Sequence, residues 1–566
     1  MPHLRALSRK EQGSVFVLTM VIGGIVATSA IFLVVLGQNT YRSQSKRVAR
    51  KDAFYLAEAG VQHALFRIAE DNTTFNTSLL LGAAVNWSAT PGQANSNLPN
   101  VTLDGRRQEL KVRIENAPSA IKGQYQVTAQ ATAFDVTQGV RVVAQKNPPS
   151  NVFDYEYFLN NWGWWWGRSI GGNGDNRSNG DFDFREGPEV NGHTYAAGDI
   201  RSDSDLRGWA APESGSDLPW DEAYIHMFND RVRMPNLLDL NYYKDRANNW
   251  KTDEHGAIIN GSLTGGVNGI NIQGVYTGNI YLAGTASNPL VLNGPVVIDG
   301  NAILGGYVTG KGTLYVGRNL YLVDSVQYKN APNSPRPSDN TETARNNWAL
   351  ANQDKDLVAY AARESIFFGD ITDSSRWNYP WCYFLRGWGD ESQLGRDGIP
   401  DTADDGVSYD RDGDGVLDGA WFDTDEDGVV DGNYQWRDIA PNPACSTEYQ
   451  TGDISSFAYW PLDAYGNRLA WNQLGPSQGP GAIQKLEGVF YTNHAFSGRT
   501  TFNNSAINGS VISKDEAIIY TTKITFNYDE RIHGRYIQNP NLIIDLGLPV
   551  ADKVRILSWE ETGAVL

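Results

Sequence analysis

The sequence predicts a mainly β protein: a long N-terminal transmembrane α-helix, a small antiparallel β-meander, then a β-helix (solenoid) with a long insert. Three observations predict it. Residues 14–37 carry no charge, aliphatic residues recur every six positions over 290–322, and two Asp-rich lines align within 410–435. The chain has 566 residues, too many for one compact domain. At 41% hydrophobic residues it can bury a core, and 58 glycines alongside many Asn, Asp and Thr favour strands joined by tight turns.

The net charge of −18 excludes a nucleic-acid binder, because phosphate contacts need Lys and Arg. Two segments carry most of the charge information. Residues 1–51 hold eight Lys/Arg against Glu11 alone, a net +7, and residues 397–431 hold thirteen Asp/Glu against Arg411 alone, a net −12. Two cysteines and seven scattered histidines show no CxxC or HExxH spacing, so a zinc or iron–sulfur centre is not expected.

The run SVFVLTMVIGGIVATSAIFLVVLG, residues 14–37, is about 36 Å long as a helix and crosses a bilayer. It is longer than the apolar region of a secretory signal. Helix-compatible sequence then continues without proline to about Asp71. Phe54, Ala57, Val61, Ala64, Leu65 and Ile68 recur at i, i+3, i+4 and form one apolar stripe. The first half of this helix is therefore lipid-soluble and the second half packs on protein.

The basic start, Gly13, the uncharged helix and the Ala57-Glu58-Ala59-Gly60 segment together resemble the N-terminus of PilX-type minor pilins of type IV pili. The resemblance covers about 60 residues and implies cleavage of the bond between Gly13 and Ser14 by a prepilin peptidase. It also implies other pilins or pilus assembly subunits as partners, the inner membrane as anchor, and a large domain facing outward. Leu18 stands where most pilins carry Glu at the fifth mature position, which argues against a major pilin. Arg42, Lys46, Arg47, Arg50 and Lys51 follow the helix while Arg5, Arg9 and Lys10 precede it, so the positive-inside rule alone puts the large domain in the cytoplasm. Rule and resemblance conflict. We follow the resemblance, because the features below suit an exported domain at the periplasm, pilus or cell surface.

Residues 108–146 alternate as half-buried strands: Leu110, Val112 and Ile114; then Tyr125, Val127, Ala129 and Ala131; then Val140 and Val142. Lys122-Gly123 and Gln138-Gly139 are the expected turns, and Pro148-Pro149 the linker. Trp162, Trp164, Trp165 and Trp166 follow, either a sugar-stacking platform or an aromatic flap over the end of a β-structure.

Leu290, Val296, Ala302, Val308, Leu314 and Leu320 are spaced by six, as are Leu292, Ile298, Leu304, Val316 and Leu322, with Gly310 filling one step. Gly294, Gly300, Gly306 and Gly312 hold a third phase. Two inward aliphatics and a turn glycine per six residues give one short strand and one corner. Three of these make a rung of about eighteen residues. The pattern resembles bactofilin-like solenoids and resumes at residues 489–520.

Within the insert expected over residues 326–486, DRDGDGVLD from Asp410 and DTDEDGVVD from Asp423 place carboxylates at positions 1, 3, 5 and 9. The expected ligands are Asp410, Asp412, Asp414 and Asp418 with the carbonyl of Val416, and Asp423, Asp425, Asp427 and Asp431 with that of Val429. A hard cation takes six to eight oxygens at about 2.3–2.6 Å, and Gly415 and Gly428 permit the sharp turn. Trp421 and Tyr434 stand where an EF-hand has its bidentate Glu, so the insert resembles thrombospondin type 3 repeats and implies Ca²⁺. Cys382 and Cys445 bracket it. They are either a disulfide or two unrelated buried thiols, and an exported domain favours the disulfide.

Two enzyme-like motifs fail. Gly167-Arg168-Ser169-Ile170-Gly171 lacks the helix a nucleophile elbow needs, and Gly305 through Lys311 is followed by Gly312 where a phosphate loop has Ser or Thr. The expected layout is a basic leader (1–13), a pilin-like helix (14–71), the meander (72–147), the first part of the solenoid with its Trp-rich start (148–325), the insert (326–486) with acidic repeats at 397–431, and a return to the solenoid with a C-terminal cap (487–566). The expected function is a non-enzymatic surface protein acting in pilus assembly or adhesion, with surface glycans as candidate ligands. The alternatives are a carbohydrate-active β-helix enzyme on a pilin-like anchor and a pseudopilin-like secretion component.

Overall fold

The computed structural model describes residues 9–69, 84–85, 102–103, 106–117, 124–146, 150–160, 162–235, 237, 240–252, 257–333, 341–369, 456–469, 483–493, 495–499, 504–514, 516–520, 523–533, 546–550 and 554–563. The protein is mainly β with one long N-terminal apolar helix. The chain forms two compact units, 1–147 with 553–566, and 148–552.

The first unit is built on α1 (Arg9–Ala69) and three antiparallel strands, β1 (Arg106–Asn116), β2 (Gln124–Ala133) and β3 (Val136–Lys146). The alternation read from sequence sets the register: Val112 faces Ala129, Ile114 faces Val127, and Val127 faces Val142. These residues bury one sheet face against Ala57, Val61, Ala64, Leu65 and Ile68 of α1. The second hairpin turns at Phe134-Asp135, with Phe134 at φ 57°, and not at Gln138-Gly139 as expected. Gly139 lies inside β3, because the edge it presents is occupied. The C-terminal strand Val554–Thr562 pairs antiparallel with β3, and a Cβ at position 139 would stand 2.5 Å from Thr562 Oγ1. The last strand thus completes the first unit's sheet instead of capping the second unit, which corrects the layout expected for 487–566.

The second unit is a stack of short parallel strands. They include β4 (Tyr157–Leu159), β5 (Gly163–Trp166), β6 (Phe182–Arg185) and β7 (Ile200–Ser202). Further along lie β8 (Leu290–Asp299), β9 (Ala302–Val316), β10 (Leu320–Tyr328), β11 (Leu357–Ala362), β12 (Lys485–Thr492), β13 (Ser505–Ser513) and β14 (Ile524–Tyr528). The six-residue phase becomes a register of 18: Leu290 lies over Val308, Val296 over Leu314, and Ala302 over Leu320. Like residues therefore meet like residues, and the aliphatic ladders form one continuous core. Each buried Val or Leu contributes about 1.5–3 kcal/mol. Aromatic pairs continue the ladders, with Tyr360 on Phe490 at 5.3 Å and Trp165 on Phe526 at 5.5 Å between ring centres. At the corners Gly294 and Gly306 take φ of 72° and 84°, which L side chains rarely adopt. Asparagines tie the corners of successive turns: Asn301 N–H donates to Asn279 Oδ1 at 2.8 Å, Asn319 N–H to Asn301 Oδ1 at 3.1 Å, and Ser365 N–H to Asn319 Oδ1 at 3.0 Å.

Two long segments interrupt the register. Lys311 pairs with Leu357, with α3 (Glu342–Ala351) in the intervening segment, and Ala359 pairs with Val489 across the excursion that holds the acidic lines. The order of turns in space also differs from the order in the chain. β13 pairs with β4 (Val511 with Tyr157), and β14 pairs with the strand Ile170–Asn173 (Ile524 with Ile170). Residues 157–226 therefore stack beyond residue 528, not ahead of residue 262 as expected. The alternative would leave the edge of β14 unpaired.

One outer face of the stack is covered as well. α2 (Leu240–Asn248) and residues 546–550 lie over Val297, Tyr315, Ala359, Tyr491 and Ile512. Outward tyrosines pin this cover: Tyr491 donates to the Pro235 carbonyl at 2.9 Å, Tyr528 to that of Phe153 at 2.7 Å, and Tyr315 to that of Gly547.

Candidate functional site

The residues singled out from sequence fall in two places. Gly13 and Ser14 lie within α1, one turn after its start, on a stretch of continuous helix. Asp410, Asp412, Asp414, Val416, Asp418, Asp423, Asp425, Asp427, Val429, Asp431, Cys382 and Cys445 all lie outside the described residues.

α1 divides as its sequence does. Over residues 14–37 every side chain is exposed, Leu18 at 59% and Leu33 at 66%. By length and composition this helix can cross a membrane. The two threonines within residues 14–37 do not break the apolar surface. Thr19 Oγ1 donates to the Val15 carbonyl and Thr28 Oγ1 to the Gly24 carbonyl, each at 2.7 Å, so both hydroxyls are satisfied within the helix. Arg42, Lys46, Arg47, Arg50 and Lys51 follow, exposed around the helix.

From Ala49 onward one face is buried, through Ala49, Ala53, Ala57, Gly60, Val61, Ala64 and Ile68. Small residues dominate it, so the helix lies close to the sheet. Gly60 marks the tightest approach. A Cβ there would stand 2.9 Å from Leu110 Cδ1 and 3.0 Å from Val112 Cγ2. The Ala57–Gly60 motif thus has a packing role in this chain.

A second constellation was not legible in sequence. Where residues 157–226 meet β14, buried charges from four segments converge. Arg345 of α3 reaches Glu530 at 3.3 Å and Asp175 at 3.7 Å. Glu156 is buried in the space left by Gly172 and Gly174 and accepts from the Asn173 N–H at 3.0 Å. Burial, reinforced by Asp175, pushes its carboxyl well above the usual carboxylate range. Beside it His193 Nδ1 and His226 Nε2 stand 2.9 Å apart, with Tyr195 stacked on His226 at 4.6 Å. Burial, then the neighbouring His193, lowers the His226 pKa, and burial raises Tyr195 to about 12. Asp175 accepts from the His193 N–H at 3.0 Å. Ion pairs and bonds to backbone amides thus join these segments, while Glu156 Oε1 and Glu530 Oε2 are buried without a hydrogen-bond partner. Sequence reasoning missed it because only Asp175 and His193 keep the spacing of 18, while Arg345 and Glu530 come from distant segments that share no period with them.

The rejected motifs are placed as expected. Ser169 precedes the strand Ile170–Asn173, and Gly305 to Lys311 lie within β9. Among the described residues no group of three or more His, Cys, Asp or Glu is arranged to hold a metal ion.

No protein-family model matches the chain, and no curated protein does. Among solved structures, that of the competence-associated pilin ComZ from Thermus thermophilus matches with a TM-score of 0.24 and 12% identity, covering 91% of this chain and 98% of its own. At that score the likeness assigns no fold beyond what the strand register already establishes.

Proposed function

We propose that this chain is a minor-pilin-like surface protein, without catalytic activity, that enters or docks on a type IV pilus-type assembly through α1. One observation carries the reading. A single 61-residue helix offers an uninterrupted apolar half to lipid or to other helices, while its other half is fixed to a six-stranded sheet that includes β1–β3 and the strand Val554–Thr562. A simple anchor needs only the first half. Fixing the second half to a folded unit makes the helix a rigid stalk, as helical packing in a fibre requires. The PilX-type resemblance of residues 13 and 57–60 points the same way, and in this reading the second unit lies outside the cytoplasm.

In this reading the second unit is a β-solenoid, supported by the register of 18 between stacked strands. The insert binds Ca²⁺ through Asp410–Asp418 and Asp423–Asp431 and is closed by a Cys382–Cys445 disulfide, and it serves assembly or adhesion. The test is immunogold labelling of cells with intact pili, paired with mass spectrometry of the mature N-terminus. Label on pili or envelope and a mature chain starting at Ser14 support the reading. Protein absent from both compartments refutes it.

A further inference from the structure

The role proposed for α1 leaves its basic segment unused. From Gln38 to Lys51 the helix carries Arg42, Lys46, Arg47, Arg50 and Lys51 and no Asp or Glu. All five basic residues are exposed, and none has a hydrogen-bond or ion-pair partner among the described residues. Arg42 and Lys46, Lys46 and Arg50, and Arg47 and Lys51 stand at i, i+4, where like charges repel and weaken a helix. A solvated helix face relieves such repulsion with acids at the same spacing, but here the first acid is Asp52.

Helical geometry brings these charges to one place. At about 100° per residue the five fall within one half of the circumference, while Tyr41 and Val48, both exposed, fall in the other. The segment begins where the lipid-soluble run ends. Arg42 lies about 7.5 Å beyond Gly37 along the axis, Arg47 about 15 Å and Lys51 about 21 Å. The headgroup layer on each side of a bilayer is roughly 5–7 Å thick, and charges act over about 8 Å more in physiological salt. Arg42, Lys46 and Arg47 therefore stand within reach of the headgroups. Arg50 and Lys51 are higher, but side chains on a helix lean toward its N-terminus, here toward the membrane, and long stems extend that lean.

We propose that Arg42, Lys46, Arg47, Arg50 and Lys51 form a collar that binds the phosphates of anionic phospholipid headgroups in the leaflet where α1 leaves the bilayer. Each guanidinium can take a phosphate through two N–H groups, and each ammonium acts as a point charge. A zwitterionic lipid carries its own cation beside the phosphate, so the collar selects lipids with net negative charge. Continuity with the membrane-crossing run favours lipid over an acidic protein surface, because insertion of the helix alone brings collar and headgroups together. The proposal rests on the part of the reading above that puts α1 in a bilayer, and it needs no pilus. The collar binds whichever leaflet it meets, so it does not depend on which side carries the folded units.

The test reconstitutes the full chain into phosphatidylcholine vesicles holding a trace of spin-labelled phosphatidylglycerol or spin-labelled phosphatidylcholine. Electron spin resonance reads the fraction of label held at the protein. The wild type should hold phosphatidylglycerol severalfold more strongly at low salt, with the preference falling toward unity in about 1 M NaCl. The variant Arg42→Gln/Lys46→Gln/Arg47→Gln/Arg50→Gln/Lys51→Gln keeps Arg5, Arg9 and Lys10, so its difference from the wild type belongs to the collar. It should lose at least half of the preference, while Arg42→Lys/Arg47→Lys/Arg50→Lys keeps it. Flotation of the vesicles separates two kinds of failure. A chain that does not float refutes membrane insertion and the collar together. A chain that floats but shows no preference for phosphatidylglycerol, or keeps its preference through the five Gln substitutions, refutes the collar alone.

Discussion

Removing Arg531 is the sharpest available test of how the second unit holds together. Its side chain is fully buried and faces Asp529 in a two-point pair, Nε to Oδ1 at 2.9 Å and Nη2 to Oδ2 at 2.7 Å. The remaining donors reach three carbonyls of the segment after α3: Asn352 and Lys355 at 3.0 Å and Asp356 at 2.9 Å. Asp356 in turn accepts from Thr309, Gly310 and Asn330. One guanidinium thus joins the end of β14, the α3 loop and β9. Arg531→Met leaves Asp529 charged in a dry site, a loss of about 3–5 kcal/mol. Asp529→Asn/Arg531→Met removes the stranded charge while keeping an oxygen to accept from the Arg531 position's N–H. It should recover half the loss or more. The assay is urea unfolding followed by Trp fluorescence, with limited proteolysis within 341–357 as a local readout. A loss under about 1 kcal/mol for the single variant, or a double variant no better than the single, refutes the stapling argument.

Three further outcomes are expected. Gly60→Leu drives a side chain into Leu110 and Val112 and costs about 1–3 kcal/mol, whereas Gly60→Ala gains roughly 1 kcal/mol of helix propensity and comes out near neutral; thermal melts of the two separate these cases. Glu156 has its carboxyl raised in the folded state, so the unfolded chain ionises first and stability falls as pH rises above about 4.5 toward the folded value. Glu156→Gln should therefore raise the Tm at pH 7–8, and the gain should vanish below pH 4; an equal gain at both pH values counts against the assignment. Chelating calcium should speed proteolysis within 397–431, and unchanged cleavage rates with and without chelator would sink the metal reading.

Periodicity made much of this protein legible. The uncharged run, the amphipathic continuation and the alternating meander each write a local period into the sequence. α1, the strands of the first sheet and the register of 18 follow from them. What was not legible depends on partners far away in the chain. Gln138-Gly139 looked like a turn because its crowding neighbour, Thr562, is 423 positions on. The spatial order of the turns was hidden for the same reason, since short parallel strands carry no mark of which edge they will meet. The buried joint of Glu156, Asp175, Arg345 and Glu530 combines both difficulties, single residues with no period from segments with no local link. The tryptophans of 162–166 were visible as composition, but only the structure showed that Trp165 turns into the core.

The pairing of late strands with early ones ties the first half of the chain to residues made long after it. Neither the edge of β3 nor the ladder from β13 to β4 can close until residues 505–562 have been synthesised. A truncated product would present open strand edges on both units at once, and such edges invite proteases and aggregation. Synthesis of residues 505–562 is thereby coupled to solubility, even though the apolar helix is made first.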